Sequence, residues 1–394
     1  MNYMDTLHKN FTDVFNHAND IRLFFAPGRI NLIGEHTDYN GGHVFPASIS
    51  FGTYAAAAKR TDNKLRFYSM NFPEAGIIEC DLEHLDYDPA HNWANYPKGM
   101  IQFIQDSGYE LHAGIDILYY GDIPNSAGLS SSASIEIVTG ILLERLFHLE
   151  LDRIELIKLG QKVENDYIHV NSGIMDQFAI GMGKQDHAIH LNTETLSFTY
   201  APLKLADHSI MIIHTNKSRA LADSKYNERR AQCEAALTDL QTELNITSLG
   251  ELTPDEFETH KQLIQDETNR KRAKHAVYEN ARTIKALEML NKGDLVHFGK
   301  LMNESHRSLQ EDYEVTGLEL DTLVEAAWNQ EGVLGARMTG AGFGGCAIAI
   351  VRNEHIETFK KHVNQAYAKK IGYEALFYTA QIGDGAKEIT KEVI

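Results

Sequence analysis

The run Pro124-Asn125-Ser126-Ala127-Gly128-Leu129-Ser130-Ser131-Ser132-Ala133-Ser134 gathers small residues and hydroxyls at one point of the chain. It lies between an alternating, strand-like run, Ile115–Ile123, and an apolar helical run, Ile135–Leu149. A small-residue loop that opens a helix lets backbone N–H groups approach an anion, and the first helical turn aims its free donors and dipole at it. The same serines could equally be surplus helix caps. A second cluster follows the apolar residues Ile30, Leu32 and Ile33: Glu35, His36 and Asp38 stand before a turn at Asn40-Gly41. Polar groups at the end of a buried segment can converge on a hydroxylated ligand, or form a loop of solvated charges. Two further carboxylates are isolated. Asp176 sits in the apolar, glycine-bounded Gly173–Gly181, as a helix-start residue or as a buried functional acid. Glu164 shares a helical line with Ile157 and Ile168; the pattern favours a glutamate at the solvent border, and a half-buried one could serve magnesium, which prefers oxygen ligands. A last run, Gly335 to Gly345, holds four glycines in six positions before an apolar strand at Cys346–Val351. It reads as a strained hairpin between helix and strand, or as a backbone contact to a ligand.

These residues need a scaffold, and the chain is long enough for about two or three domains. With 43% hydrophobic and 23% charged residues it has a globular composition. The net charge of −18 argues against a nucleic-acid partner. No secretory leader and no bilayer-spanning run is legible, and three widely spaced cysteines form neither a disulfide framework nor a zinc pattern. Together these point to a cytoplasmic protein with no membrane partner. An amphipathic helix is expected within residues 1–20, from Leu7, Phe11 and Phe15. Strands are expected at Arg22–Ala26, Tyr54–Lys59, Leu65–Phe72, Gly76–Leu82 and Gly114–Ile123, with a helix near Pro97–Ser107. A helix from Arg153 to about His169 buries Leu156, Leu159, Val163 and Tyr167. After strands at Leu196–Tyr200 and Ser209–His214 the pattern turns helical: Ala220–Leu244, His275–Asn291, Leu295–Asp312 and Leu318–Gln330, with a polar, linker-like stretch at Thr247–Arg272. A domain change is placed near Pro202, giving 1–202 and 203–394, with a final strand near Ala375–Thr379 that could return to the first domain.

Glycine- or serine-rich segments far apart in sequence, each joining regular elements, suggest a cleft between domains. The serine loop lacks the Gly-Lys-Ser/Thr of a P-loop and the spacing of a hydrolase nucleophile elbow, and no His-Arg-Asp kinase loop is present.

Taken together, Pro27–Gly42, Pro124–Ser134 and Gly335–Cys346 resemble the three signature motifs of the GHMP kinases. The stretch Gly28-Arg29-Ile-Asn-Leu-Ile-Gly-Glu35-His36-Thr37-Asp38-Tyr-Asn-Gly-Gly42 resembles the galactokinase signature, as do Gly173–Phe178 and Tyr226–Glu234. The resemblance runs along nearly the whole chain. It implies an α+β fold of two domains: an N-terminal mixed sheet with helices, and a C-terminal antiparallel sheet layered with helices, with the active site between them. It implies ATP-dependent phosphorylation of α-D-galactose at the anomeric hydroxyl, the step that commits the sugar to the Leloir pathway. Asp176 then matches the catalytic aspartate and Arg29 the transition-state arginine. Glu35, His36, Thr37, Asp38, Gly173 and Tyr226 match sugar contacts. Ser126, Ala127, Gly128, Leu129, Ser130, Ser131 and Ser132 match the triphosphate loop, Ser69 a nucleotide contact, and Ser132 with Glu164 the Mg2+ positions. Ser126 stands where the family often carries glycine. The partners implied are galactose and ATP, and nothing suggests an obligate assembly, so a monomer is expected. The alternatives are a sister kinase of N-acetylgalactosamine, and a galactokinase-like regulatory sugar sensor.

Overall fold

The computed structural model describes residues 3–18, 20–124, 127–217 and 222–390. In chain order its strands are β1 (Arg22–Asn31), β2 (His43–Val44), β3 (Pro46–Lys59), β4 (Lys64–Ser69), β5 (Ile78–Asp81), β6 (Ile115–Gly121), β7 (His187–Asn192), β8 (Phe198–Pro202), β9 (His208–His214), β10 (Val333–Thr339), β11 (Cys346–Arg352), β12 (Leu376–Thr379) and β13 (Lys387–Glu388). The helices are α1 (Tyr3–Phe15), α2 (Asn95–Asp106), α3 (Ser131–Phe147), α4 (Arg153–Lys162), α5 (Met175–Met182), α6 (Ala222–Leu240), α7 (Pro254–His260), α8 (Glu267–Asn291), α9 (Leu295–Ser308), α10 (Gly317–Trp328) and α11 (Ile356–Ile371).

A six-stranded sheet runs β13-β1-β3-β6-β4-β5. It is mixed, because β4 and β6 are parallel while the other neighbours are antiparallel. The alanines of β3 show how sequence sets the layers. Side chains alternate across a strand, so Ala56 and Ala58 face Leu7, Phe11 and Phe15 of α1, while Ala55 and Ala57 share a core with Ile137 and Ile141 of α3. Small residues on both faces let helices lie close on either side.

The second sheet runs β10-β11-β9-β12, and a three-stranded sheet runs β2-β7-β8. From Cys346 to Val351 β11 is apolar and buried on both faces, as a central strand must be. Ala347, Ala349 and Val351 enter a core with α6, α8, α10 and α11. Cys346, Ile348 and Ile350 face the other way, onto Ile30, Leu32, Ile33 and Phe45 of the first half. The apolar residues that precede Glu35 are thus the floor on which the two halves meet. Cys80, Cys233 and Cys346 are in no disulfide, and no helix among the described residues is long and apolar enough to cross a membrane.

Several expectations need correction. The strand near 375–379 does not return to the first sheet; β12 pairs with β9, and the return is made by β13 against β1. α3 begins at Ser131, four residues before its apolar run, because the serines themselves form its first turn. The stretch Thr247–Arg272 is not a linker. Capping boxes at Ser248/Glu251 and Thr253/Glu256 start a short 3-10 turn and α7, and α8 already begins at Glu267. The glycine run joins two strands, β10 and β11, rather than a helix and a strand. β2, β7 and β10 lay outside the expected elements, and β3 starts eight residues earlier than the apolar pattern suggested.

Candidate active site

Arg29 is carried on β1 just after a bulge between Pro27 and Arg29. The bulge brings the strand against the serine loop: a Cβ on Gly28 would stand 2.6 Å from the Leu129 carbonyl oxygen, and Arg29 N–H donates to that same oxygen at 3.1 Å. Only glycine allows so close an approach. The Arg29 side chain is buried and grips Asp176 with both arms, Nε to Oδ1 and Nη2 to Oδ2, each at 2.8 Å. Its third arm, Nη1, donates to the Gly128 carbonyl at 2.8 Å. One guanidinium therefore locks the serine loop to the first turn of α5. Desolvation works against its charge, but Asp176, Glu35 and Asp38 surround it and hold its pKa above the ordinary arginine value.

Asp176 lies in the first turn of α5, one of the two placements its setting allowed, and its side chain remains partly open to the cleft. The Ser130 hydroxyl donates to Asp176 Oδ2. Ser130 precedes α3 with a left-handed backbone (φ 65°) and makes no cap with its side chain, so the first N–H groups of α3 stay available. Ser134, inside the first turn of α3, does a different job: its hydroxyl donates to the Ala26 carbonyl at 2.8 Å and so accepts from the Thr53 hydroxyl at 2.9 Å, bolting α3 to β1 and β3.

Asp38 closes the opposite wall. Its carboxylate accepts the N–H of Tyr39 at 3.1 Å and that of Met175, the first residue of α5. It lies so close to Gly173 that a Cβ there would stand 2.0 Å from Oδ2. Burial, then the charges of Asp176 and Glu35, push its pKa up to about 7. Burial likewise raises Glu35. His36 is pushed down to about 3 by burial and by His275, so it is neutral. Since the Ala341 carbonyl 3.2 Å from Nε2 can only accept, the proton is on Nε2, and Nδ1 accepts from the Tyr39 hydroxyl at 2.8 Å. Tyr226, from α6, stacks obliquely near His36 with ring centroids 5.5 Å apart.

Glu164 departs from the solvent-border expectation. The end of the α4 helix widens into a π turn at Val163–Ile168, which turns the carboxylate inward. It is buried, accepts the Ser132 hydroxyl at 2.8 Å and the Ser172 hydroxyl, and is raised by burial and by Asp176. No ion pair among the described residues includes it.

These groups line one cleft of about 980 Å3, counting the part open to solvent: Arg29, Glu35, His36, Asp38, Ala127–Ser132, Glu164, Gly173, Asp176 and Tyr226. Thr37 and Ser69 are not among its lining residues. Thr37 is buried with its hydroxyl 2.9 Å from the Gly34 carbonyl and 2.7 Å from that of His43, as a brace for the turn, and Ser69 at the end of β4 accepts from the Asn71 N–H at 3.2 Å. Ser126 lies outside the described residues. Ser172, Gly340 and Ala341 also line the cleft. The glycine run signalled the last two, while nothing local marked Ser172. Glu136, set among isoleucines on α3, is a further buried acid, bonded by Gln177 Nε2 at 3.0 Å and raised well above the ordinary carboxyl range by burial.

The chain matches the galactokinase galactose-binding signature over residues 9–59, the GHMP kinase N-terminal domain over 95–184 and the GHMP kinase C-terminal domain over 284–369. It is 60% identical to the galactokinase of Exiguobacterium sibiricum, over 99% of both chains. It is 58% identical to that of Ligilactobacillus salivarius, over 97% of this chain and 98% of the relative. Its fold superimposes on the crystal structure of Lactococcus lactis galactokinase complexed with galactose with a TM-score of 0.97 at 54% identity, over 98% of this chain and all of the other.

A buried acid facing a serine hydroxyl, without a cationic partner among the described residues, suits a hard divalent cation. No group of three His, Cys, Asp or Glu side chains among the described residues could hold a metal ion, so such a cation would need phosphate oxygens and water to complete its shell.

Proposed function

The chain belongs to the galactokinase family of the GHMP kinases, and from that membership we propose that it transfers the γ-phosphoryl group of ATP to the anomeric hydroxyl of α-D-galactose, giving galactose 1-phosphate and ADP. The observation that carries this reading is the fork of Arg29 on Asp176, at the seam between the Glu35–Asp38 wall and the serine loop. Phosphoryl transfer depends on alignment and charge neutralisation more than on covalent chemistry. Glu35, His36, Asp38, Gly173 and Tyr226 receive the sugar, with the anomeric hydroxyl toward Asp176. Asp176 accepts or orients that proton, and Arg29 fixes the carboxylate and steadies negative charge as it develops on the attacking oxygen. Ala127–Ser132 and the start of α3 cradle the triphosphate. Mg2+ bound through Ser132 and Glu164 would neutralise phosphate charge. The hydroxyl of Thr37 is already occupied by backbone carbonyls, so its share in binding is to brace the turn. The same reading takes the chain as a monomer divided near residue 202, and ATP as co-substrate is in keeping with the cytoplasm.

A coupled ADP-release assay over galactose, N-acetylgalactosamine, arabinose, mevalonate and homoserine tests the substrate, with turnover expected on galactose. Asp176→Ala should abolish turnover while ATP still binds; sugar-dependent turnover near the wild-type rate in that variant would sink the assignment.

A further inference from the structure

Four buried side chains from the second half of the chain, His275, Glu279, Ser305 and Arg337, close on residues 34–36 of the first. One oxygen of Glu279, on α8, accepts the Gly34 N–H at 3.0 Å, the Glu35 N–H at 3.3 Å and the Ser305 hydroxyl at 2.5 Å. The other takes Arg282 Nε at 2.8 Å. Arg337 Nη2 lies 3.8 Å from the first oxygen, and its Nη1 reaches Glu35 Oε1 at 3.3 Å. That oxygen also accepts the Gly340 N–H at 2.8 Å. His275 Nε2 lies 3.1 Å from the Glu35 carbonyl, and its Nδ1 2.9 Å from the Ser308 hydroxyl.

Such a cluster is a poor way merely to hold a core together, since buried charges can often be replaced by apolar residues without loss. The backbone it grips explains it better. Gly34 (φ 94°) and His36 (φ 61°) both have left-handed conformations, which persist only where the surroundings over-determine them. The Gly34 and Glu35 N–H groups have no strand neighbour and need an acceptor. Glu279 supplies it from another part of the fold, while Arg337, between two carboxylates, fixes where the Glu35 side chain ends.

We propose that Glu279, backed by Ser305 and Arg337, is a positioning residue that presets the Gly34–His36 backbone and the Glu35 carboxylate for the hydroxyl groups of the sugar. This rests on the sugar-kinase reading above. A residue acting this way moves sugar affinity and leaves the nucleotide half of the cleft alone.

Glu279→Gln keeps an acceptor but removes the charge between Arg282 and Arg337; Ser305→Ala removes one donor and keeps every charge. The galactose KM is expected to rise roughly tenfold in Glu279→Gln, in line with disturbing a buried charged hydrogen bond, and several-fold in Ser305→Ala. kcat and the ATP KM stay within about twofold in both. An unchanged galactose KM in the folded variants, or equal changes in the galactose KM, the ATP KM and kcat, overturns the proposal. If Glu279→Gln does not fold, Ser305→Ala decides alone by the same criterion. Wild-type turnover is measured first: no phosphorylation of galactose would overturn the functional reading and this proposal with it, whereas normal wild-type turnover with unmoved variants overturns only the positioning role.

Discussion

Arg29→Lys tests the site most directly, because it keeps the positive charge and removes only the geometry. Arg29 makes three hydrogen bonds at 2.8 Å, two to the Asp176 carboxylate and one to the Gly128 carbonyl. A lysine ammonium is a point donor on a flexible stem and cannot reproduce the planar fork. At least one of the two carboxylate bonds is lost, and with it the constraint on the plane of Asp176. A hydrogen bond to a charged group contributes about 1.5–3 kcal/mol. If that loss falls on the transition state, kcat drops by roughly 10- to 150-fold, at about 1.4 kcal/mol per tenfold. The Gly128 bond involves a neutral carbonyl, so ATP affinity falls less, by under about tenfold. The assay is ADP release at saturating galactose and ATP, paired with equilibrium binding of the nucleotide. A kcat within threefold of wild type, or a loss of ATP affinity larger than the loss of kcat, would refute the assignment of Arg29 to the reacting end of the cleft.

Two further outcomes follow from the carboxylates. Asp38, pushed up to about 7 by burial and its acidic neighbours, holds its proton more tightly in the folded chain than in the unfolded one, where aspartate titrates near about 3.9. Its contribution to stability is complete below about pH 4 and is lost as pH rises through about 7. Thermal melts without sugar should therefore show Asp38→Asn gaining on wild type between pH 5 and pH 8, and a constant offset would count against the shifted acid. For Glu164, chelation of divalent metal should stop turnover and added Mg2+ restore it. Glu164→Gln should raise the Mg2+ needed for half-maximal rate by at least the roughly tenfold that outer-shell changes already cost; an unchanged Mg2+ requirement would remove Glu164 from the metal site.

Much of the cleft was legible because its residues sit in short, unusual local patterns. Small residues and serines before an apolar helix narrow the segment to an anion site or surplus caps, since the donors belong to the helix start itself. Glu35, His36 and Asp38 stood out because polar groups abruptly follow a buried run. Glu164 was legible only in part: the pattern allowed a half-buried acid but favoured the solvent border, because its inward turn comes from a π widening of the backbone that helical periodicity does not show. The stretch 247–272 looked like a linker because its side chains are polar, yet polar side chains are what cap helices, and two capping boxes order part of it.

By itself the sequence determined the chemistry available, hydroxyls and backbone amides at a helix start and acids with a histidine after a buried run, and the unbroken small and apolar runs that make β3 and β11 central strands. Tertiary structure alone decided which groups meet. The fork of Arg29 on Asp176 joins residues 147 positions apart, and the hold of Glu279 on Gly34 spans 245. Contacts of that range leave no local pattern, because each partner is placed by the packing of its own strand or helix and only the assembled cores bring them within hydrogen-bonding distance.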